Sequence, residues 1–306
     1  MRNDPSKRRK EVATQVAALF LLCMFVALSA GAADGASKPA DPDPAIEAGP
    51  SAAALETGFR QLYELNFQGV RGQFLSYQKL EPSDPLGKAA EAASYLYEEF
   101  DEKGVFTSEF FLNDSKLLNG VEGGPSSNRN EAFLEADRQA RQMARRWLQS
   151  HPSDTRGLLA LTLADGMESD YDGLIEKKQL ASLTLMRQAE REANQLLAID
   201  PNAQDAYVAL GAANYIIGCM PGMKRAFLWF GGVHGDRMKG MQQMQLAADN
   251  GHYLQPFAKI LLALACEREH QMDRARTLLT ELAVEFPANP LYAHEIALLD
   301  QRVAAS

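Results

Sequence analysis

The sequence predicts an all-α fold, a right-handed solenoid of about five helix pairs followed by one capping helix. Three observations predict it: a spaced set of apolar residues recurs, a proline follows most copies, and a small residue stands ten positions after each of those prolines. A helix pair with such an apolar stripe cannot bury it alone, so copies are expected to stack on one another.

The recurring set is an alanine, a second apolar residue four positions later, a bulky residue three positions after that, and a proline. Its copies are Ala140/Ala144/Trp147/Pro152, Ala189/Ala193/Leu196/Pro201, Ala275/Leu279/Leu282/Pro287 and a looser Val70/Phe74/Tyr77/Pro82. Spacings of four and three place the first three residues on one helical face. The proline then ends the helix, because it has no backbone N–H to donate.

A fifth copy, Gly240/Met244/Ala247/His252, keeps the spacing but replaces both the alanine and the proline. Successive terminators at positions 82, 152, 201, 252 and 287 then lie 70, 49, 51 and 35 residues apart. A helix–turn–helix repeat of this kind is about 34 residues long, so three units are enlarged and the last is not. We expect the extra residues between the two helices of a unit, at 101–130, 167–178 and 218–236, and call these the first, second and third insert.

The small residues after the prolines allow close approach of helices; they are Ala92, Thr162, Gly211 and Ala297. With Tyr207-x2-Leu210-Gly211 followed by Gly218, and with Leu262-Ala263 before the Ala275 copy, the chain resembles tetratricopeptide repeat proteins over residues 51–304. The glycine–proline–glycine stretch at 218–222, followed by Gly235-Asp236, is similar to a group of uncharacterised exported bacterial members. The resemblance implies the fold and leaves the function open, because this repeat serves many unrelated partners.

The inserts contain aromatic residues that ordinary polar loops lack. In a stacked array they would lie side by side. One interpretation is that they fold back and seal the groove of the solenoid, since large exposed apolar patches are rare. The other is a composite site for a partner, a lipid or a membrane surface. The candidate binding residues for that site are Phe110, Phe111, Tyr171, Lys224, Arg225, Phe227, Trp229 and Phe230.

The sequence contains no recognisable catalytic or metal-binding motif. The five histidines are scattered without ligand spacing, and no serine lies in a nucleophile elbow. Glycines beside Lys224 and Arg225 could hold an anion, but the ordered Gly-Lys-Ser/Thr of a nucleotide loop is missing. We therefore predict a non-enzymatic protein that needs no cofactor and no metal.

The N-terminus predicts export. Residues 1–32 combine a basic start, a short apolar core and an Ala30-Gly31-Ala32 cleavage site, as in a signal peptide. An uncleaved inner-membrane anchor is the alternative. Cleavage removes five positive and two negative charges and takes the net charge from −9 to −12, which disfavours nucleic acid as a partner. Residues 33–50 are expected to be a disordered linker.

Several local features support the helix boundaries. A final helix is predicted at about 291–303, with Glu295 among the polar residues that suit a terminal cap. Asp154, Asp205 and Asp236 stand where helices are expected to begin. Cys219 and Cys266 follow the signal peptide and fit buried apolar side chains better than a disulfide.

These observations favour a periplasmic or envelope-surface scaffold whose concave groove binds a protein or peptide partner. The prediction includes peripheral association with the envelope membrane, and the sequence marks no oligomer interface. The alternative is a binding module for a lipid or hydrophobic small molecule, in which the inserts close the groove into an apolar pocket.

Overall fold

The computed structural model describes residues 49–222 and 234–305, and its regular structure there is entirely helical, which confirms the predicted all-α class. The thirteen α-helices of these residues are α1 Pro50–Tyr63, α2 Phe67–Leu80, α3 Pro85–Glu102, α4 Ser108–Phe111, α5 Asp114–Asn119, α6 Ser127–Ser150, α7 Thr155–Asp170, α8 Gln179–Ile199, α9 Ala206–Cys219, α10 Arg237–Asn250, α11 Gln255–Arg268, α12 Met272–Glu285 and α13 Pro290–Ala305.

Apart from the short α4 and α5, helices that follow one another along the chain pack as pairs. Within the described residues the pairs are α1/α2, α3/α6, α7/α8, α9/α10 and α11/α12, and α13 packs against α12. Each first helix also contacts the first helix of the next pair, from α1 through α3, α7 and α9 to α11. The helix predicted at about 291–303 corresponds to α13.

The repeat positions coincide with the packing. Each second helix ends two residues before its terminator, as Leu80 does before Pro82 and Asn250 before His252. The alanines of the recurring set, Ala140, Ala189 and Ala275, are buried, whereas Pro152, Pro201 and Pro287 are exposed in the turns. Tyr207 is half-buried, and Gly211 lies against α10. Small side chains therefore stand where helices meet, and prolines stand where they stop.

The three inserts fall between paired helices, but they differ in structure. The first contains the short helices α4 and α5. The second is no loop, because α7 continues as a π-helical turn, Tyr171–Ile175, before α8 begins. Lys177 then adopts a left-handed conformation, φ 59°, like Leu65 and His270 in the turns of the first and last pairs. The third lies between α9 and α10, and residues 223–233 of it are outside the described residues.

The first helix contacts the last pair. The Tyr63 hydroxyl donates to the Tyr253 carbonyl at 2.8 Å, and the Asn289 side chain donates to the Tyr63 carbonyl at 2.8 Å. The rings of Phe59 and Tyr253 stack with centroids 4.8 Å apart. Since Arg60 also lies over the Phe286 ring, the two ends of the helix array are in contact.

Glu295 does not form part of a solvated cap. It is 2 % exposed, and its carboxylate accepts a hydrogen bond from the Ser108 backbone N–H at 3.1 Å. The first insert covers α13 at this point, so the cap face that a terminal helix would expose is buried by a segment 187 residues away in the chain.

The helix-start predictions are confirmed, since α7, α9 and α10 begin directly after Asp154, Asp205 and Asp236. Asp154 accepts from the Gly157 N–H, and Asp236 accepts from the Lys239 N–H. Asp205 precedes α9 but makes no such bond to it. Cys219 and Cys266 are unpaired thiols.

The predicted signal peptide and most of the linker, residues 1–48, lie outside the described residues. Among the helices that the structure describes, none has the length and apolar character of a membrane span.

Candidate functional site

An apolar cavity of about 220 Å³ lies among the first helices of the pairs. α3 contributes Ala90, Ala93, Leu96, Tyr97 and Phe100 to its wall. α1, α7, α8, α9 and α11 contribute further side chains, mostly leucine, alanine, phenylalanine and methionine. The cavity therefore occupies the interior that the contact between α1 and the last pair encloses.

The first insert covers one side of this cavity. Phe106, Phe110 and Phe111 are each at most 7 % exposed and line it. The Phe106 ring lies 4.9 Å from that of Tyr97, and the Phe111 ring stacks 6.1 Å from that of Tyr215. The Arg268 guanidinium donates to the Phe111 carbonyl at 3.0 Å. These contacts hold the insert against α3, α9 and α11, so its aromatic rings face inward.

The predicted binding residues do not form one cluster. Phe110 and Phe111 lie together on the cavity wall, whereas Tyr171 is buried elsewhere, against Phe133, and its hydroxyl donates to Asn130. The five that the third insert was expected to supply are outside the described residues: Lys224, Arg225, Phe227, Trp229 and Phe230.

The first and second inserts do touch. The Val121 N–H donates to the Leu174 carbonyl at 2.8 Å. Gly120, at φ 78°, lies so close to Leu174 that a Cβ there would come within 2.2 Å of its carbonyl oxygen. Leu174 itself lines the cavity, so the two inserts share a boundary of the same space.

Asp170, the last residue of α7, lines the cavity with no partner. Within the described residues its carboxylate makes neither a hydrogen bond nor an ion pair, and burial alone raises its pKa to about 7. The side chain retains some exposed area, and because it lines the cavity we take that area to face the cavity. Burial disfavours a charged carboxylate, so the proton is held more tightly than by a solvated aspartate.

The other acidic residue of the wall, Asp205, has partners. Its carboxylate accepts from the backbone N–H groups of His252, Tyr253 and Leu254 at 2.7, 3.0 and 3.2 Å. Burial raises its pKa, and these three hydrogen bonds act in the opposite direction. Asp205 therefore fixes the turn before α11, which leaves Asp170 as the unpartnered acid of the described wall.

Two further residues of the wall are notable. The Tyr97 hydroxyl is buried without a hydrogen-bond partner among the described residues; burial raises its pKa, and the nearby Tyr63 hydroxyl adds to the effect. A Cβ added to Gly166 on α7 would meet nothing within 4 Å. Glycine in a helix costs about 1 kcal/mol relative to alanine, and at Gly166 no neighbour explains that cost.

Sequence patterns alone did not indicate Asp170, Tyr97 or Gly166. Asp170 follows a run of mixed polar residues and is typical of a solvated helix end. A signal was present for Gly166, since an isolated glycine inside a helical pattern usually has a packing or functional reason.

The geometry supports binding of an apolar molecule with a small polar part. Among the described residues, the wall contains no lysine, arginine or histidine, and no group of three metal-ligating side chains converges. Comparisons with family models, with curated proteins and with solved structures find no match to this chain. The tetratricopeptide resemblance thus rests on the residues quoted above.

Proposed function

We propose that the protein is a tetratricopeptide-like solenoid whose interior binds a hydrophobic small molecule or a lipid chain. The observation that carries this proposal is the apolar cavity, together with the glycine on its wall that no neighbouring atom requires. Ligand sites of this kind are concave, mostly apolar and supplied with a few polar groups.

The size of the cavity argues for an occupant. Protein interiors have few voids larger than a water molecule. A space of about 220 Å³ is far larger than such a void, and its wall lacks packing partners on one side. A ligand that fills the space recovers packing contacts that the helices alone do not make.

The first insert supports the same conclusion. Its three aromatic rings cover the cavity instead of filling it, and they are fixed from outside by Arg268 and Glu295. An insert that served only to seal the helix array would be expected to pack to the density of a protein interior.

The scaffold hypothesis of the sequence analysis stays a prediction. It requires an accessible concave groove for a protein or peptide, whereas the first insert and the contact between α1 and Tyr253 occupy that side of the described residues. We therefore favour a non-enzymatic binding module over a peptide-binding scaffold. Export to the periplasm and peripheral association with the envelope remain part of the proposal.

Native mass spectrometry of the full-length protein tests the proposal. We expect the wild type to carry a co-purifying small molecule that is lost in Gly166→Leu, because the leucine side chain enters the cavity. Gly72→Leu is the matched control: Gly72 is also a helical glycine with nothing within 4 Å of an added Cβ, but it is exposed on α2. Equal bound mass in the wild type and Gly166→Leu, or none in either, would contradict the proposal.

A further inference from the structure

We propose that the ligand carries an amine, which binds at the carboxylate of Asp170 while the rest of the molecule occupies the apolar cavity. This inference rests on the proposed function and specifies the chemical class of the ligand. It assigns a role to a residue that has no structural task in the described part of the molecule.

The unpartnered state of Asp170 distinguishes it from the acids around it. Asp205 accepts three backbone N–H groups. Asp172, two residues further along, pairs with Lys178 at 3.8 Å, and Glu176 pairs with the same lysine at 3.2 Å. A buried carboxylate without a cation or donor is costly, and such groups are normally paired. An ammonium group on the ligand would supply both the missing charge and the missing donors.

The polar groups beside Asp170 are already engaged with protein atoms. The Ser169 hydroxyl donates to the Ser182 carbonyl at 2.9 Å, and the Gln179 amide donates to the Gly173 carbonyl at 3.0 Å. Neither provides Asp170 with a donor. The carboxylate is therefore free to accept from a molecule inside the cavity.

The charge of the wall excludes an acidic ligand head. Among the described residues the cavity is lined by two aspartates and by no basic side chain. A fatty acid would place a second carboxylate in a region of low dielectric beside Asp170, where like charges repel strongly. An alcohol would donate one hydrogen bond to the carboxylate but would bring no positive charge, so it lacks the ion-pair attraction that an ammonium adds.

Tyr97 offers a second contact for the amine. Its side chain is 7 % exposed, it lines the cavity, and its hydroxyl oxygen lacks a donor. Burial is the main reason that its pKa is raised, and the negative charge of Asp170, which lines the same cavity, adds to the effect. A neutral phenol oxygen accepts a hydrogen bond from an ammonium without a charge of its own.

Calorimetric titration with three molecules of equal chain length tests the inference. Decylamine, decanol and decanoic acid are titrated into the full-length wild type at about pH 8, below their aggregation concentrations. We expect decylamine to bind about tenfold or more tightly than decanol, about 1.4 kcal/mol, because only the ammonium brings a charge opposite to that of the carboxylate. Decanoic acid should bind at least about tenfold more weakly than decanol.

Two variants test whether Asp170 and Tyr97 cause the preference for the amine. Asp170→Asn, which keeps the shape of the side chain, should lower the affinity for decylamine to that for decanol. Tyr97→Phe should lower the affinity for decylamine a few-fold. Asp172→Asn is the matched control, because Asp172 has its own lysine and does not line the cavity, so the amine preference should persist. Circular dichroism confirms that each variant is folded.

The outcomes separate the two proposals. Decanoic acid binding as tightly as decylamine, or an unchanged amine preference in Asp170→Asn, would overturn the amine inference and leave the hydrophobic site intact. Absence of binding by all three molecules in the wild type would overturn both. If Asp170→Asn failed to fold, the order of the three molecules in the wild type would still decide the question.

Discussion

Gly166 and Gly211 stand on the first helices of neighbouring pairs, α7 and α9, yet their surroundings are opposite. A Cβ on Gly211 would lie 2.6 Å from Met244 Cγ and 2.8 Å from the Met244 backbone nitrogen. Gly240 faces it from α10, where a Cβ would lie 2.6 Å from the Tyr215 nitrogen. A Cβ on Gly166 would meet nothing within 4 Å.

The difference shows that one residue type serves two purposes in this fold. At the seam between α9 and α10, glycine lets two backbones approach, and any side chain would force them apart. On the cavity wall, glycine keeps space open. Both positions give up about 1 kcal/mol of helix propensity, but only the seam recovers it through packing within the chain. The open wall recovers it only if something else occupies the space.

The largest effect is expected at the seam. Gly211→Leu should destabilise the protein by about 3 kcal/mol or more, because overpacking against a backbone cannot be relieved by a change of rotamer. Urea denaturation measures it. The exposed Gly72→Leu should change the free energy of unfolding by less than about 1 kcal/mol, and a similar loss in both variants would show that the seam is not close-packed.

A second large effect is expected at Asp205. Asp205→Ala leaves three backbone N–H groups without an acceptor at the start of α11, which should cost about 2 to 4 kcal/mol. Asp154→Ala removes one cap bond, to the Gly157 N–H, and should cost about 1 kcal/mol. Equal losses in these two variants would mean that Asp205 acts as an ordinary cap.

An intermediate effect is expected at Asp170, and its sign depends on pH. The folded protein holds the Asp170 proton more tightly than the unfolded chain does, since burial raises the pKa from 3.8 to about 7. The stability that this provides is fully present below about pH 4 and is lost as the pH rises towards about 7. Asp170→Asn should therefore match the wild type near pH 4.

At about pH 8, Asp170→Asn should be about 1 to 3 kcal/mol more stable than the wild type, a figure reduced for the partial exposure of the side chain. Thermal or urea unfolding at a series of pH values measures the difference. Asp137 and Glu192 also make the stability depend on pH, because burial raises their pKa values to about 7 and about 8. Their contributions cancel when the free energy of unfolding of the wild type is subtracted from that of the variant at each pH. A constant difference across this range would contradict a buried, unpartnered carboxylate.

The smallest effects are expected for alanine at Gly166 and Gly211, where the changes in stability should have opposite signs. Gly166→Ala should stabilise the protein by up to about 1 kcal/mol, because helix propensity improves and the methyl group meets open space. Gly211→Ala should destabilise it, since the methyl group meets α10 at under 3 Å. Chemical denaturation measures the change in the free energy of unfolding of both variants. Changes of the same sign would contradict the contrast between the α9/α10 seam and the cavity wall.

The parts of the fold that depend on local spacing could be predicted from the sequence. Ala140, Ala189 and Ala275 are buried as expected, because spacings of three and four determine a helical face without reference to distant residues. The prolines at 152, 201 and 287 mark helix ends for an equally local reason. The positions of the inserts followed from the same distances along the chain.

The remaining features depend on contacts between distant segments. Tyr63 meets Tyr253 and Asn289, and Glu295 meets Ser108, across nearly 190 residues or more. Asp205 stands at the start of α9 as expected, but its carboxylate binds the turn before α11, which the sequence did not indicate. Asp170 has the sequence context of a solvated helix end, and only its place on the cavity wall removes most of its water. No periodicity in the sequence reports such a position.

Titration calorimetry of decanol into the full-length wild type, Gly166→Leu and Gly72→Leu decides whether the apolar cavity binds a ligand. We expect one decanol site in the wild type and in Gly72→Leu, and at least tenfold weaker binding in Gly166→Leu, because only that leucine occupies the cavity. Equal affinity in all three proteins, or no binding by the wild type, would contradict ligand binding in this cavity.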